Sequence, residues 1–260
     1  MFTHNLDPVI FNIGIVSIRW YSLAYILGIV IGWWYGKKLI SNKTWILEEK
    51  FNLKHFDDLI TYLVVSIIIG GRLGYVVFYN IEYYLSNPVD IFKIWEGGMS
   101  FHGALIGIIL GTYIFAIRRK IKTLFLLDVL ACVSPIGIFF GRIANFINSE
   151  LVGKVSSVPW SVIFPKIDLM PRHPSQLYEA VLEGLILFLI LNVIFSRKYE
   201  IGSCSSLFLI FYGIFRMISE MFREPDVQLG YIFNLASMGS ILSFLMILSG
   251  ITMFYIVKKR

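Results

Sequence analysis

Seven stretches of this chain are apolar over about the length that a bilayer's hydrocarbon core demands of a helix. They are roughly residues 20–36, 59–79, 100–117, 124–143, 177–195, 204–222 and 232–257. A segment in hydrocarbon must satisfy its own backbone hydrogen bonds, so each stretch is expected to form an α-helix. Only 15% of the 260 residues are charged, against about 25% in soluble domains, and the mean hydropathy is +0.74. The expected fold is an all-α membrane protein with seven transmembrane helices, organised as one integral membrane domain over 1–260. The N-terminus lacks a basic leader and a small-residue cleavage site, so the first stretch reads as a retained span. Two cysteines, Cys132 and Cys204, provide no disulfide framework.

Basic residues set the expected orientation. Lys37, Lys38, Lys43, Lys50, Lys54, Arg118, Arg119, Lys120, Lys122, Arg197, Lys198, Lys258, Lys259 and Arg260 fall on one side of a seven-span layout, fourteen in all. Seven fall on the other side: Arg19, Lys93, Arg142, Lys154, Lys166, Arg172 and Arg223. The N-terminus is therefore expected outside and the C-terminus in the cytoplasm. The net charge of +6 needs no nucleic acid to explain it.

On that layout the polar residues inside apolar segments gather toward the outer leaflet. They include Tyr21, Arg72, His102, Arg142, Asn145, Asn148, Glu150, Arg216 and Glu220. An arginine at mid-helix costs about 2.5–3.5 kcal/mol on insertion scales and is expected to face a bundle interior or a water-filled cavity. Each residue also has a plainer role open to it. Arg216 and Glu220, spaced i, i+4, can neutralise each other on one helix face. Arg142, Asn145 and Asn148 can be a snorkelling helix end. The glycines around His102 and Arg72 can serve helix packing. Taken together these residues suit a pocket for an oxyanion, because guanidinium forks bind phosphate and carboxylate in bidentate fashion. A histidine nearby can move a proton. The four histidines form no metal set, and neither a nucleophile elbow nor a phosphate-binding glycine loop occurs. The residues alone reach the handling of an anionic, lipid-like group at the outer face and stop there.

Seven motifs then carry a resemblance: "DPVIFNIG", "RWYSLAYILG", "GGRLGYVVFYN", "WEGGMSFHGALIG", "GRIANFINSELVG", "RHPSQLYEAVLEG" and "YGIFRMISEMFREPD". In this order, from Asp7 to Asp226, the chain resembles the bacterial prolipoprotein diacylglyceryl transferases. The resemblance implies a multi-pass enzyme of the bacterial inner membrane with its active site toward the outer, periplasmic face. It implies transfer of the diacylglyceryl group of phosphatidylglycerol to the lipobox cysteine of prolipoprotein signal peptides, with loss of glycerol phosphate. The nucleophile belongs to the substrate, and no metal or organic cofactor is implied. By motif, Arg142 and Asn145 are implied to contact the headgroup, Arg216 to stabilise phosphate or the transition state, and His102 to be a candidate base. Tyr21, Asn148, Glu150, Gly153 and Glu220 match further substrate-binding positions. The chain departs from the family pattern with Arg19 before "WYS", with Ser149 where glycine is usual, and with Ala104 after Gly103.

Two connections are expected to have structure of their own. The outer loop over 144–176 contains prolines that interrupt a helix, and a small subdomain with short strands is expected there. The loop "IEYYLSNPVDIFKIWEGG" is expected to lie along the membrane interface as an amphipathic arm. A transporter and a non-catalytic lipid-binding protein are the competing classes. Transport predicts polar residues continuing to the inner face, where Asp128 and Ser134 are the exceptions to an otherwise apolar lining.

Overall fold

A computed structural model describes residues 2–13, 16–42, 53–197, 199–224, 231–232 and 236–259. Within these ranges some side chains, His102 among them, fall outside the description. The chain divides into two compact units, residues 1–36 with 128–260, and residues 37–127.

Helices dominate the fold. They are α1 (Trp20–Ser41), α2 (Leu53–Tyr79), α3 (Ile81–Ser86), α4 (Phe101–Arg119) and α5 (Thr123–Asn148). After them come α6 (Ser175–Glu179), a π-helical segment (Ala180–Ile186), α7 (Leu187–Ser196), α8 (Ser203–Glu220) and α9 (Met238–Lys258). Among the described residues, five helices are long and apolar enough to cross a membrane: Trp20–Ser41, Leu53–Val77, Thr123–Asn148, Ser175–Ser196 and Gly239–Lys258. The segments expected at 100–117 and 204–222 are helical as well, as α4 and α8, but are not among those five. Large apolar side chains remain exposed on these helices, among them Ile29, Val30, Ile69, Leu245 and Ile251, as a lipid-facing surface requires.

In the unit of residues 37–127, α2 packs closely on α4. Gly70 and Gly74 on α2 face Gly103 and Gly107 on α4 so tightly that a Cβ on Gly103 would run into the backbone of Gly70 and Gly74. Both pairs are spaced as small-xxx-small motifs, which let helix backbones approach where lipid supplies no hydrophobic drive. Arg72, between the two α2 glycines in sequence, turns to the following loop. Its Nε donates to Ile91 O at 2.8 Å and its Nη2 to Asp90 O at 2.6 Å and Lys93 O at 3.2 Å. Its Nη1 donates to the carbonyls of Gly97 and Gly98. One guanidinium thus collects the carbonyls of an otherwise irregular arm of α3 and two 3-10 turns, Pro88–Phe92 and Ile94–Glu96.

In the other unit, α5 carries Pro135 in its interior, which leaves the Ala131 carbonyl without its usual donor; the Ser134 hydroxyl lies 3.5 Å from that oxygen. Asn192 on α7 ties three helices together. It accepts from the Tyr35 hydroxyl of α1 and donates to the Cys132 carbonyl of α5. Fully buried Asp128 on α5 accepts from Gly202 N at 2.6 Å, Ser205 N at 2.7 Å and Ser205 Oγ at 2.6 Å, and so caps the start of α8.

Beyond α5 the chain forms short strands. Strand β1 (Phe2–Thr3) pairs in parallel with β4 (Val162–Ile163), which pairs antiparallel with β5 (Pro171–Arg172). A separate hairpin of β2 (Val9–Ile13) and β3 (Val16–Arg19) leads into α1. Val152, Val162 and Phe164 form a small core with Phe146 packed against it. Arg172 fastens this region through Asp168, the Gly153 carbonyl and Glu224. The same guanidinium holds the Asp168 carboxyl below the usual carboxylate range.

Candidate functional site

The helix α5 persists to Asn148, so Arg142 and Asn145, three residues apart, share a face. Arg142 meets two glutamates of the α6–π segment. Its Nη1 lies 2.8 Å from Glu179 Oε2 and its Nη2 3.0 Å from Glu183 Oε2. Arg216, from α8, reaches the same pair from another side. Its Nη1 is 3.0 Å from Glu179 Oε1 and 3.8 Å from Glu183 Oε1, and its Nη2 is 2.7 Å from Glu220 Oε2. Arg223, just beyond α8, lies 3.6 Å from Glu179 Oε1. Three arginines and three glutamates, remote in sequence, thus form one lattice. Tyr212 lies one turn before Arg216 on α8.

Exposure within the lattice is graded. Glu179 and Glu183 have 0% side-chain exposure, whereas Arg142 and Arg216 retain 18% and 12%. Glu179 and Glu183 thus form the inner part of the lattice, with Arg142 and Arg216 nearer the surface. Buried ions at this density persist only when paired and hydrogen-bonded. The π-helical turn that carries Glu183 is a form found mostly as single-turn bulges, frequently at functional sites.

A second polar group lies one turn along α5. Asn145 Nδ2 donates to the Tyr21 hydroxyl at 2.6 Å and to Glu150 Oε2 at 3.1 Å, and Asn148 Nδ2 lies 3.4 Å from Glu150 Oε1. Gln176 Nε2 donates to the Glu150 carbonyl at 2.6 Å. The α5 terminus makes this possible. Ser149 adopts φ +60° and Leu151 φ +55°, so the chain reverses and returns the Glu150 side chain to the helix face. Gly153 serves the same fold. A Cβ there would overlap the His173 carbonyl, which accepts from Gly153 N, and crowd the Phe222 carbonyl, which accepts from Lys154 N just after α8.

The expected residues therefore divide. Tyr21, Arg142, Asn145, Asn148, Glu150, Arg216 and Glu220 lie on elements of the same unit and form one hydrogen-bonded group and one ion-paired group. Gly153 acts through close backbone packing. Arg72 belongs to the other unit, with its donors engaged by backbone carbonyls. His102 opens α4 in that unit, and its side chain lies outside the described residues. Glu179 and Glu183 are the functional candidates that sequence reasoning missed. Two glutamates four residues apart at the head of an apolar run were the available signal for the pair. Among the described residues, no group of three or more His, Cys, Asp or Glu side chains could hold a metal ion.

With this geometry in hand, the comparisons decide the family. Residues 8–256 match the family model described as prolipoprotein diacylglyceryl transferase. The chain belongs to the prolipoprotein diacylglyceryl transferase family. The phosphatidylglycerol–prolipoprotein diacylglyceryl transferase of Rickettsia typhi is 51% identical over 253 residues, covering 96% of both chains. The enzyme of the same name from Rickettsia felis is 51% identical over 249 residues, 95% of both chains. That of Rickettsia bellii is 50% identical over 258 residues, 98% of this chain and 95% of the relative. The chain is a member of a transferase family and, with five helices long and apolar enough to span, a multi-pass membrane protein.

Proposed function

We propose that this chain transfers the diacylglyceryl group of phosphatidylglycerol to the cysteine thiol of a prolipoprotein, the first step of bacterial lipoprotein maturation. The acceptor is the lipobox cysteine of the signal peptide, and the leaving group is glycerol phosphate. The thiol sulfur forms a bond to the terminal glyceryl carbon. The carbon–oxygen bond to phosphate breaks, and its electron pair leaves with the phosphate oxygen. The protein must take up the thiol proton and stabilise the developing anion.

The observation that carries the site assignment is the convergence of Arg142 and Arg216, both partly exposed, on the same fully buried carboxylates. That arrangement supports Arg142 as a headgroup ligand and Arg216 as the stabiliser of phosphate or the transition state. Asn145, Tyr21, Asn148, Glu150 and Glu220 complete the substrate-binding surface, and Gly153 shapes the loop behind it. His102 remains the candidate proton acceptor on the strength of its motif. The charge asymmetry of the loops supports seven spans in the inner membrane, with the N-terminus and the active site at the periplasmic face. The segment 144–176 is read as a small subdomain on that face of a single integral membrane domain.

The test is transfer of labelled diacylglyceryl from phosphatidylglycerol to a lipobox peptide by purified protein, beside Arg142→Ala. Label on the cysteine, lost in the variant, is expected. A folded wild-type protein in lipid that transfers no label would sink the proposal.

A further inference from the structure

Recognition of a phosphate headgroup calls for arginines. It does not call for as many carboxylates among them. Glu179 touches Arg142 through one oxygen and Arg216 and Arg223 through the other, and Glu183 bridges Arg142 and Arg216. Glu220 holds the far side of Arg216. Among the described residues, these three arginines face three carboxylates.

The reaction gives that balance a purpose. Phosphatidylglycerol brings a phosphodiester with one negative charge. The product is a phosphomonoester, which carries about −1.5 to −2 at neutral pH because its second ionisation lies near 6. Three uncompensated guanidiniums in a poorly screened pocket would hold such a product more tightly than the substrate. Product release would then limit turnover. Carboxylates behind the arginines lower the net field while leaving the forks in place, and at 0% exposure Glu179 and Glu183 do so without touching the ligand.

We propose that Glu179 and Glu183 are positioning residues that keep the arginine cluster close to electroneutral, so that Arg142 and Arg216 orient the phosphate yet release glycerol phosphate. This rests on Arg142 and Arg216 being the headgroup residues of the transferase.

The experiment is steady-state transfer by purified protein in phosphatidylglycerol vesicles, with glycerol phosphate added as inhibitor, for wild type, Glu179→Gln and Glu183→Gln. In the variants the Ki of glycerol phosphate is expected to tighten at least about tenfold, as loss of one close charge partner implies. The kcat falls, while KM for phosphatidylglycerol rises little or decreases. Glu179→Asp, which keeps the charge, is expected to restore the product Ki. A carboxylate with only a scaffolding role would lower kcat without tightening the product. Unchanged or weaker product inhibition in the folded variants therefore overturns the proposal. Should neither variant fold, the wild type still decides, because a product Ki far tighter than the substrate KM is incompatible with a neutralised site and a weaker one supports it. An inactive wild type would instead overturn the transferase reading itself.

Discussion

Arg142 sits against two carboxylates that have no other contact with solvent, which changes how its substitution should be read. Truncation to alanine leaves buried charge uncompensated, a loss of about 3–5 kcal/mol in comparable buried pairs. Lysine is the cleaner probe, since it keeps the charge and removes the planar fork. Arg142→Lys and Arg216→Lys are expected to remain folded while transfer falls about 100-fold, the scale of a misplacement near 1 Å. Labelled-lipid turnover beside a thermal melt measures both; full activity in either lysine variant would remove that arginine from the headgroup site. Ser149 shows the same dependence on local geometry. It occupies a left-handed position that favours glycine, and its hydroxyl lies 3.1 Å from His4 Nδ1. Ser149→Ala loses that hydrogen bond and is expected to cost about 0.5–1.5 kcal/mol. Ser149→Gly recovers about 1–2 kcal/mol of backbone strain and is expected to be close to neutral. Equal melting temperatures for the two variants would contradict this account.

Among elements, α8 is the one whose placement matters most, because it brings Arg216 and Glu220 to the lattice. Its first turn is held by Asp128, a buried residue on α5. Asp128→Ala leaves two backbone donors of a helix start without their acceptor and is expected to destabilise by about 1–3 kcal/mol, with activity lost in parallel. Differential scanning in detergent would show it, and an unchanged midpoint would mean that the cap is dispensable. The structural employment of Asp128 and of Ser134 also removes the residues that had favoured a polar route toward the inner face. Read from sequence alone, the glycines beside His102 and Arg72 suit close backbone approach or helix packing. The α2–α4 contact assigns Gly70, Gly74, Gly103 and Gly107 to packing.

At the scale of the whole molecule, the docking of the N-terminal strand depends on pH. His4 is buried between Phe146 and Phe164, and its backbone N donates to Ile163 O at 2.8 Å. Burial holds its imidazole below the usual histidine range, and Lys166 pushes the same way. The detached strand binds a proton more readily than the docked one. Docking is therefore at full strength above about pH 6.5 and weakens as pH falls through the lower docked value. Hydrogen exchange at the His4 amide, corrected for the intrinsic rate, is expected to be faster at pH 5.5 than at pH 7.5. Equal protection at both values would refute the linkage.

The sequence by itself determined that this chain lives in a membrane, which segments are helical, that Arg142 and Arg216 are anomalous there, and which family it belongs to. Hydropathy and motif are properties of a segment read alone, so they survive without coordinates; α4 and α8 lie where expected even though they are not among the five helices that meet the length and hydropathy of a span. What only the tertiary structure decided is partnership. It joined Arg142 and Arg216 through Glu179 and Glu183, gave Arg72 to the carbonyls of an arm, and made Asp128 a helix cap. A charged side chain in an apolar segment announces a cost wherever it occurs. Which group offsets that cost depends on which helix packs beside it, and no linear pattern contains that neighbour.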